Sequence, residues 1–137
     1  MSHEHITLHT QALAANPDLA FFWEATKNEI MLLPHCADCG KTHWYPRLFC
    51  PFCFSSKLEW KQSSGKAKIY AATMLSKAAE PYVVAYVELA EGPLMLTNIV
   101  DCKLDDLQIG APLTLTFSPM SSGHFLPVFR LSNTSAA

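Results

Sequence analysis

The chain has 137 residues, half of them apolar, and a formal net charge of −2; that length suits one ordinary domain and that composition a sizeable core. No apolar run is long enough to cross a bilayer. The opening MSHEHITLHTQALAANPD lacks the basic region and apolar stretch of a secretory signal, so a soluble, cytoplasmic protein with no membrane role is expected.

The first predicted element is a helix over NPDLAFFWEATKNEI, with Asn16 as its N-cap and Pro17 in its first turn. Leu19, Phe22, Trp23, Thr26 and Ile30 fall on one face at helical spacing. That face suits either the domain's own core or a partner subunit, and Leu19, Phe22 and Trp23 are the candidate partner-binding residues. TLHTQALAAN before it suits a further short helical piece.

Next comes CADCGKTHWYPRLFCPFC, which holds four of the five cysteines in two C-x-x-C pairs separated by ten residues. An odd total and paired spacing favour thiolate ligands in a reducing compartment over disulfides. Four thiolates at Cys36, Cys39, Cys50 and Cys53 suit zinc in a closed tetrahedron, which leaves no open position for substrate. One iron would suit the same ligands; the ten-residue spacer and the following strands incline the reading to zinc. Gly40 follows the first pair where a left-handed residue is needed, whereas Phe54 stands at the matching place in the second, so the second knuckle is expected to be less regular. His35 and His43 read as surface or supporting residues beside the ligands. Cys102, alone in or at the end of a strand, reads as a small buried residue.

From residue 58 onward the chain reads as strands. KAKIYAATML, PYVVAYVELA, PLMLTNIVD, APLTLTFSP and HFLPVFRLS are rich in β-branched and aromatic residues and are divided by turn signals. Five short strands of this size predict a small antiparallel barrel of the OB-fold type, with a small sandwich as the alternative. The expected fold class is therefore mainly β, with N-terminal helices over 1–34, a zinc ribbon over 35–57 and the barrel over 58–137.

Charge is unevenly spread. Residues 41–77 carry seven Lys or Arg against Glu59 alone, while acids predominate on both sides. The basic middle suits a phosphate-rich ligand or a solvated linker. Single-stranded nucleic acid is one such ligand, since zinc ribbons and OB-folds both bind it and Trp44, Tyr45 and Trp60 could stack bases; the acidic strand region argues against it. No G-x-S-x-G, H-E-x-x-H or phosphate-binding glycine loop occurs, which lowers the expectation of an independent enzyme and leaves no catalytic residue to nominate.

FFWEATKNEIMLLPHCADCGKTHWYPRLFCPFC, LEWKQSSGKAKIYAAT, PYVVAYVELAEGPLMLTNIVD and IGAPLTLTF, in that order, resemble a bacterial and archaeal family once known only as a domain of unknown function, number thirty-five. The resemblance runs over about residues 19–130. It implies N-terminal helices, a rubredoxin-like ribbon with structural zinc, and an OB-fold. It further implies an accessory or scaffold subunit in acyl-CoA metabolism, in a hetero-oligomer with a thiolase-like enzyme, a hydratase of the hot-dog fold or an aldolase. Coenzyme A needs cationic groups for its phosphates and an aromatic face for its adenine. Arg47 and Lys41, with Trp44 and Tyr45 beside them, are the candidate acyl-CoA residues, Arg47 first because its fork can grip phosphate at two points. The plainer role for the aromatics is to pack the ribbon onto the barrel.

Overall fold

The structure is a computed structural model and describes residues 19–132. The expected Asn16 cap, Pro17 first turn and earlier helical piece lie outside the described residues. Helix α1 (Ala20–Thr26) is followed by β1 (Leu32–Cys36), β2 (Leu58–Gln62), β3 (Lys66–Leu75), β4 (Tyr82–Leu89), β5 (Leu94–Val100), a 3-10 turn (Leu104–Asp106), β6 (Pro112–Pro119) and β7 (Phe125–Leu131).

Helix α1 is shorter than its apolar periodicity predicts. The amide of Ile30 donates to the Ala25 carbonyl and that of Glu29 to Thr26, while Glu29 takes a positive φ of 55°. This is the hydrogen-bond pattern of a Schellman termination. Ile30 therefore leaves the helical face to which its spacing assigned it. A helix this short is marginal alone, so packing must hold it. Thr26 does so in part: its hydroxyl donates to the Trp23 carbonyl at 2.6 Å and accepts the Phe125 amide at 3.3 Å, tying α1 to the start of β7.

β1 and β2 form a separate antiparallel pair, from Leu32 opposite Gln62 to Cys36 opposite Leu58. β2 thus belongs to the sheet of the ribbon, and the five strands that follow are those read from the sequence. They close into a barrel of order β3-β4-β5-β7-β6, the OB-fold arrangement and not the sandwich. Alternation explains β4, whose residues Val83, Ala85, Val87 and Leu89 point inward and are buried. Closure needs one strand to serve two neighbours. A bulge between Ile69 and Ala71 lets β3 pair with β4 along most of its length but with β6 only at Lys66, Ala67 and Lys68. Gly65 sits at the entry with φ +80°, where a side chain would press on Leu115. Phe129, Val128, Leu113, Ile69 and Val87 fill the barrel, and Met31, Leu33, Phe22 and Trp23 extend the same core beneath the ribbon and helix.

Candidate metal centre and its flanking surfaces

Two hairpin knuckles bring the four cysteines together. In the first, the Gly40 amide donates to the Cys36 carbonyl at 2.9 Å and the Cys36 amide to Lys41 at 2.9 Å. In the second, the Phe54 amide donates to Cys50 at 2.9 Å and the Cys50 amide to Ser55 at 2.8 Å. The two loops thus share one hydrogen-bond plan. Gly40 has φ 76° and Phe54 φ 62°, which corrects the expectation of an irregular second knuckle. The turn geometry prevails over the side chain's preference, and Phe54 occupies a left-handed conformation that costs a non-glycine residue about 1–2 kcal/mol. The knuckles are also clasped to each other, because the Ser55 hydroxyl donates to the Asp38 carboxylate.

All four sulfurs lie within 4.8 Å of one another. Cys36 and Cys53 are 3.6 Å apart, Cys39 and Cys50 3.7 Å. A tetrahedron with metal–sulfur bonds of about 2.3 Å has edges of about 3.8 Å, so the donor set fits one tetrahedral ion. Backbone amides face the sulfurs, with Cys39 N–H 3.5 Å from Cys36 Sγ and Phe52 N–H 3.4 Å from Cys50 Sγ. The Cys39 amide, ahead of other hydrogen bonds and against burial, brings Cys36 down to about 7. At Cys53 the Ser55 amide favours the thiolate, but burial and proton sharing with the other thiols prevail and push it up to about 12. Without a cation the cluster keeps protons at neutral pH; with one, it releases them.

The candidate acyl-CoA residues divide between neighbouring surfaces. Trp44 and Tyr45, their rings 5.7 Å apart, line an apolar cleft of about 280 Å³ together with Leu19, Phe22, Leu96 and Asn98. Arg47 lines a second cleft of about 190 Å³ with Pro34, Leu48, Leu58 and Trp60. Its guanidinium forms no ion pair among the described residues. Lys41 stands apart on the first knuckle, its Nζ 4.8 Å from the centre of the Phe52 ring. The helix face nominated for a partner is buried in the chain's own core: Leu19, Phe22 and Trp23 are 7, 3 and 9% exposed. Phe22 packs on Trp23 and Trp44, each at 5.1 Å. Of the two roles this face suited, the described residues fill the first, because the barrel and the ribbon spacer cover it.

His35 hydrogen-bonds the Thr42 hydroxyl through Nδ1 at 3.0 Å. His43 is 2% exposed and neither ring nitrogen has a hydrogen-bond partner among the described residues. Burial first, then the positive charge of Arg47, holds its pKa below the ordinary 6.5. The folded chain therefore binds fewer protons there than the unfolded chain as pH falls below about 6.5, so stability is complete above that pH and declines beneath it. His43→Leu is expected to flatten this decline, read as urea midpoints at pH 7.5 and 5.5; an unchanged slope would contradict it. Cys102, partly buried, has its thiol pushed up by burial and then by Asp106 and Asp101, as a poor nucleophile would.

Sequence periodicity missed the apolar side chains around the metal loops. Leu48, Phe49, Phe52 and Phe54 are 65, 57, 55 and 80% exposed. The available signal was that loops this tight hold their side chains away from any core.

The chain matches the model of the ChsH2 rubredoxin-like zinc ribbon domain over residues 23–59 and that of the ChsH2 C-terminal OB-fold domain over residues 60–118. A DUF35 domain-containing scaffold protein of Methanothermobacter thermautotrophicus is 37% identical over 89 residues, covering 60% of this chain and 67% of that protein. A probable enoyl-CoA hydratase alpha subunit of Thermomonospora curvata is 34% identical over 122 residues, or 85% of this chain; the chain spans only 38% of that longer protein. Among solved structures, the Ltp2-ChsH2(DUF35) aldolase superposes with a TM-score of 0.74 at 34% identity, over 83% of this chain and 94% of that one.

Proposed function

We propose a scaffold role for this chain, which belongs to the DUF35 family: it is a non-catalytic subunit that docks on a larger enzyme acting on acyl-CoA. One zinc ion, held by Cys36, Cys39, Cys50 and Cys53, serves to shape the ribbon. The observation that carries this reading is a closed four-thiolate site whose second loop leaves Leu48, Phe49, Phe52 and Phe54 exposed. Such a site offers no position for a substrate, and large apolar side chains exposed close together in sequence suit a protein interface. The names of relatives support the partner class, as a hydratase subunit, an aldolase complex and scaffold proteins all occur among them.

Within the complex, the apolar arm of the acyl thioester enters the cleft of Trp44 and Tyr45, and the free guanidinium of Arg47 meets the phosphates of the coenzyme. The outer face of β3, β4 and β5 exposes Tyr70, Tyr86, Leu94 and Leu96, while Lys68 is paired with Glu88 at 3.4 Å. That face suits an apolar protein surface better than the polyanion of the nucleic-acid reading.

The test is recovery of the tagged full chain from its own cells, with the bound proteins identified and zinc measured. An acyl-CoA enzyme in fixed ratio, with one zinc per chain, is expected. Octanoyl-CoA should bind the complex, and Arg47→Ala should weaken that binding about tenfold, the scale of one charge-assisted hydrogen bond. Recovery of the chain alone, or with nucleic acid, would overturn the reading.

A further inference from the structure

β3 is ten residues long, but β6 covers it only at Lys66, Ala67 and Lys68. The contact ends as Ile69 exchanges backbone hydrogen bonds with Ala111 and Gly110. Tyr70 is the extra residue of the bulge, and beyond it residues 71–75 pair with β4 alone. Alternate amides and carbonyls on the opposite edge therefore face no strand among the described residues. Tyr70, Ala71, Ala72 and Thr73 are exposed in succession, so neither face of this stretch is covered among the described residues.

Exposed edges in soluble proteins are ordinarily guarded by charge, proline or a cover. Residues 70–76 read YAATMLS, with no charge and no proline, and a bulge stands at their start. A shallow groove of about 230 Å³ crosses the neighbouring sheet face from Ala71 and Thr73 of β3 over Val84 and Tyr86 of β4 to Leu96 of β5. An added strand would gain its affinity from main-chain hydrogen bonds to this edge.

The charges at the two ends decide among occupants. Lys66 and Lys68 precede the open stretch and Lys77 follows it. Lys68 is matched by Glu88, whereas Lys66 and Lys77 form no ion pair among the described residues. Two copies paired antiparallel along this edge would bring Lys77 of each against Lys66 and Lys68 of the other, and like charges across a pair are destabilising. An uncharged, apolar strand with acidic residues at its ends matches the edge along its whole length.

We propose that residues 70–75 are the docking edge for such a strand, contributed by the partner enzyme and added to the barrel beside β3. The inference rests on the scaffold reading above and names the surface through which it acts.

The experiment places a photoreactive benzoylphenylalanine at Tyr70 in the tagged full chain and irradiates the complex recovered from its own cells. The expected product links Tyr70's position to an apolar peptide of the enzyme with acidic flanks. Amide exchange over residues 70–75 should slow at least tenfold in the complex relative to the free chain. Thr73→Lys and Lys77→Glu should each weaken association at least tenfold while zinc content and melting temperature of the free chain stay unchanged. A complex that forms without the cross-link and without slower exchange would overturn the edge while leaving the scaffold reading intact. A cross-link to a second copy of this chain would overturn the partner strand, and failure to recover any complex would overturn both.

Discussion

Replacing Cys50 by serine is expected to strip the chain of its metal and unfold the ribbon. Cys50 is fully buried, its amide bonds the Ser55 carbonyl at 2.8 Å, and its sulfur lies 3.7 Å from that of Cys39. A hydroxyl there is a poor ligand for a soft-leaning ion. A structural tetrathiolate zinc site contributes about 10–16 kcal/mol of apparent binding energy, against a whole-domain stability of about 5–15 kcal/mol. Leu33 of β1 anchors the ribbon in the core, but the second ligand loop has Leu48, Phe49, Phe52 and Phe54 facing outward and little besides the metal to hold it. Elemental analysis should fall from one zinc per chain to near zero. Amide protection should disappear over β1 and β2 and persist in the barrel strands, which have their own core. Retention of full metal content, or an unchanged melting temperature, would refute the structural role. Acid should mimic the substitution, since proton binding at the thiolates competes with the metal.

The second large effect is expected at Phe22→Ala. Phe22 sits between the rings of Trp23 and Trp44 at 5.1 Å each, and is 3% exposed. Truncating a buried phenylalanine costs about 3–5 kcal/mol through lost transfer energy and the cavity left behind. That is a large share of the stability of a small domain, so the free chain should lose much of its cooperative melting transition. Phe21 is the internal control. It is 67% exposed and stacks on Trp60 at 6.5 Å, so Phe21→Ala should change free-chain stability by no more than about 0.5 kcal/mol. Equal, small losses at both positions would mean that the helix does not pack as described and that its apolar face serves a partner instead.

These two predictions separate what was legible in the residues from what was not. The ligand set was readable because C-x-x-C is a local device: two sulfurs converge across one tight turn whatever surrounds it. The five barrel strands were readable because one-sided burial imposes a period of two, as at Val83, Ala85, Val87 and Leu89. Helix α1 was read in kind but not in length, since its periodicity continues to Ile30 while the chain turns at Glu29. Side-chain spacing does not report a left-handed residue that is neither glycine nor asparagine. Phe54 illustrates the same blindness in the second knuckle.

The sequence by itself determined the four-cysteine cluster, the strands and, through the order of its motifs, the family; each depends on residues near one another in the chain or on a repeated local pattern. Only the tertiary structure decided which surfaces are covered. It buried Leu19, Phe22 and Trp23 beneath the barrel and the ribbon spacer, sent Arg47 to one cleft and Trp44 to another, and left the end of β3 with β4 as its one strand neighbour among the described residues. Burial and edge exposure depend on segments far apart in the chain: β6 meets β3 at three residues and then leaves it, and nothing in YAATML announces that departure.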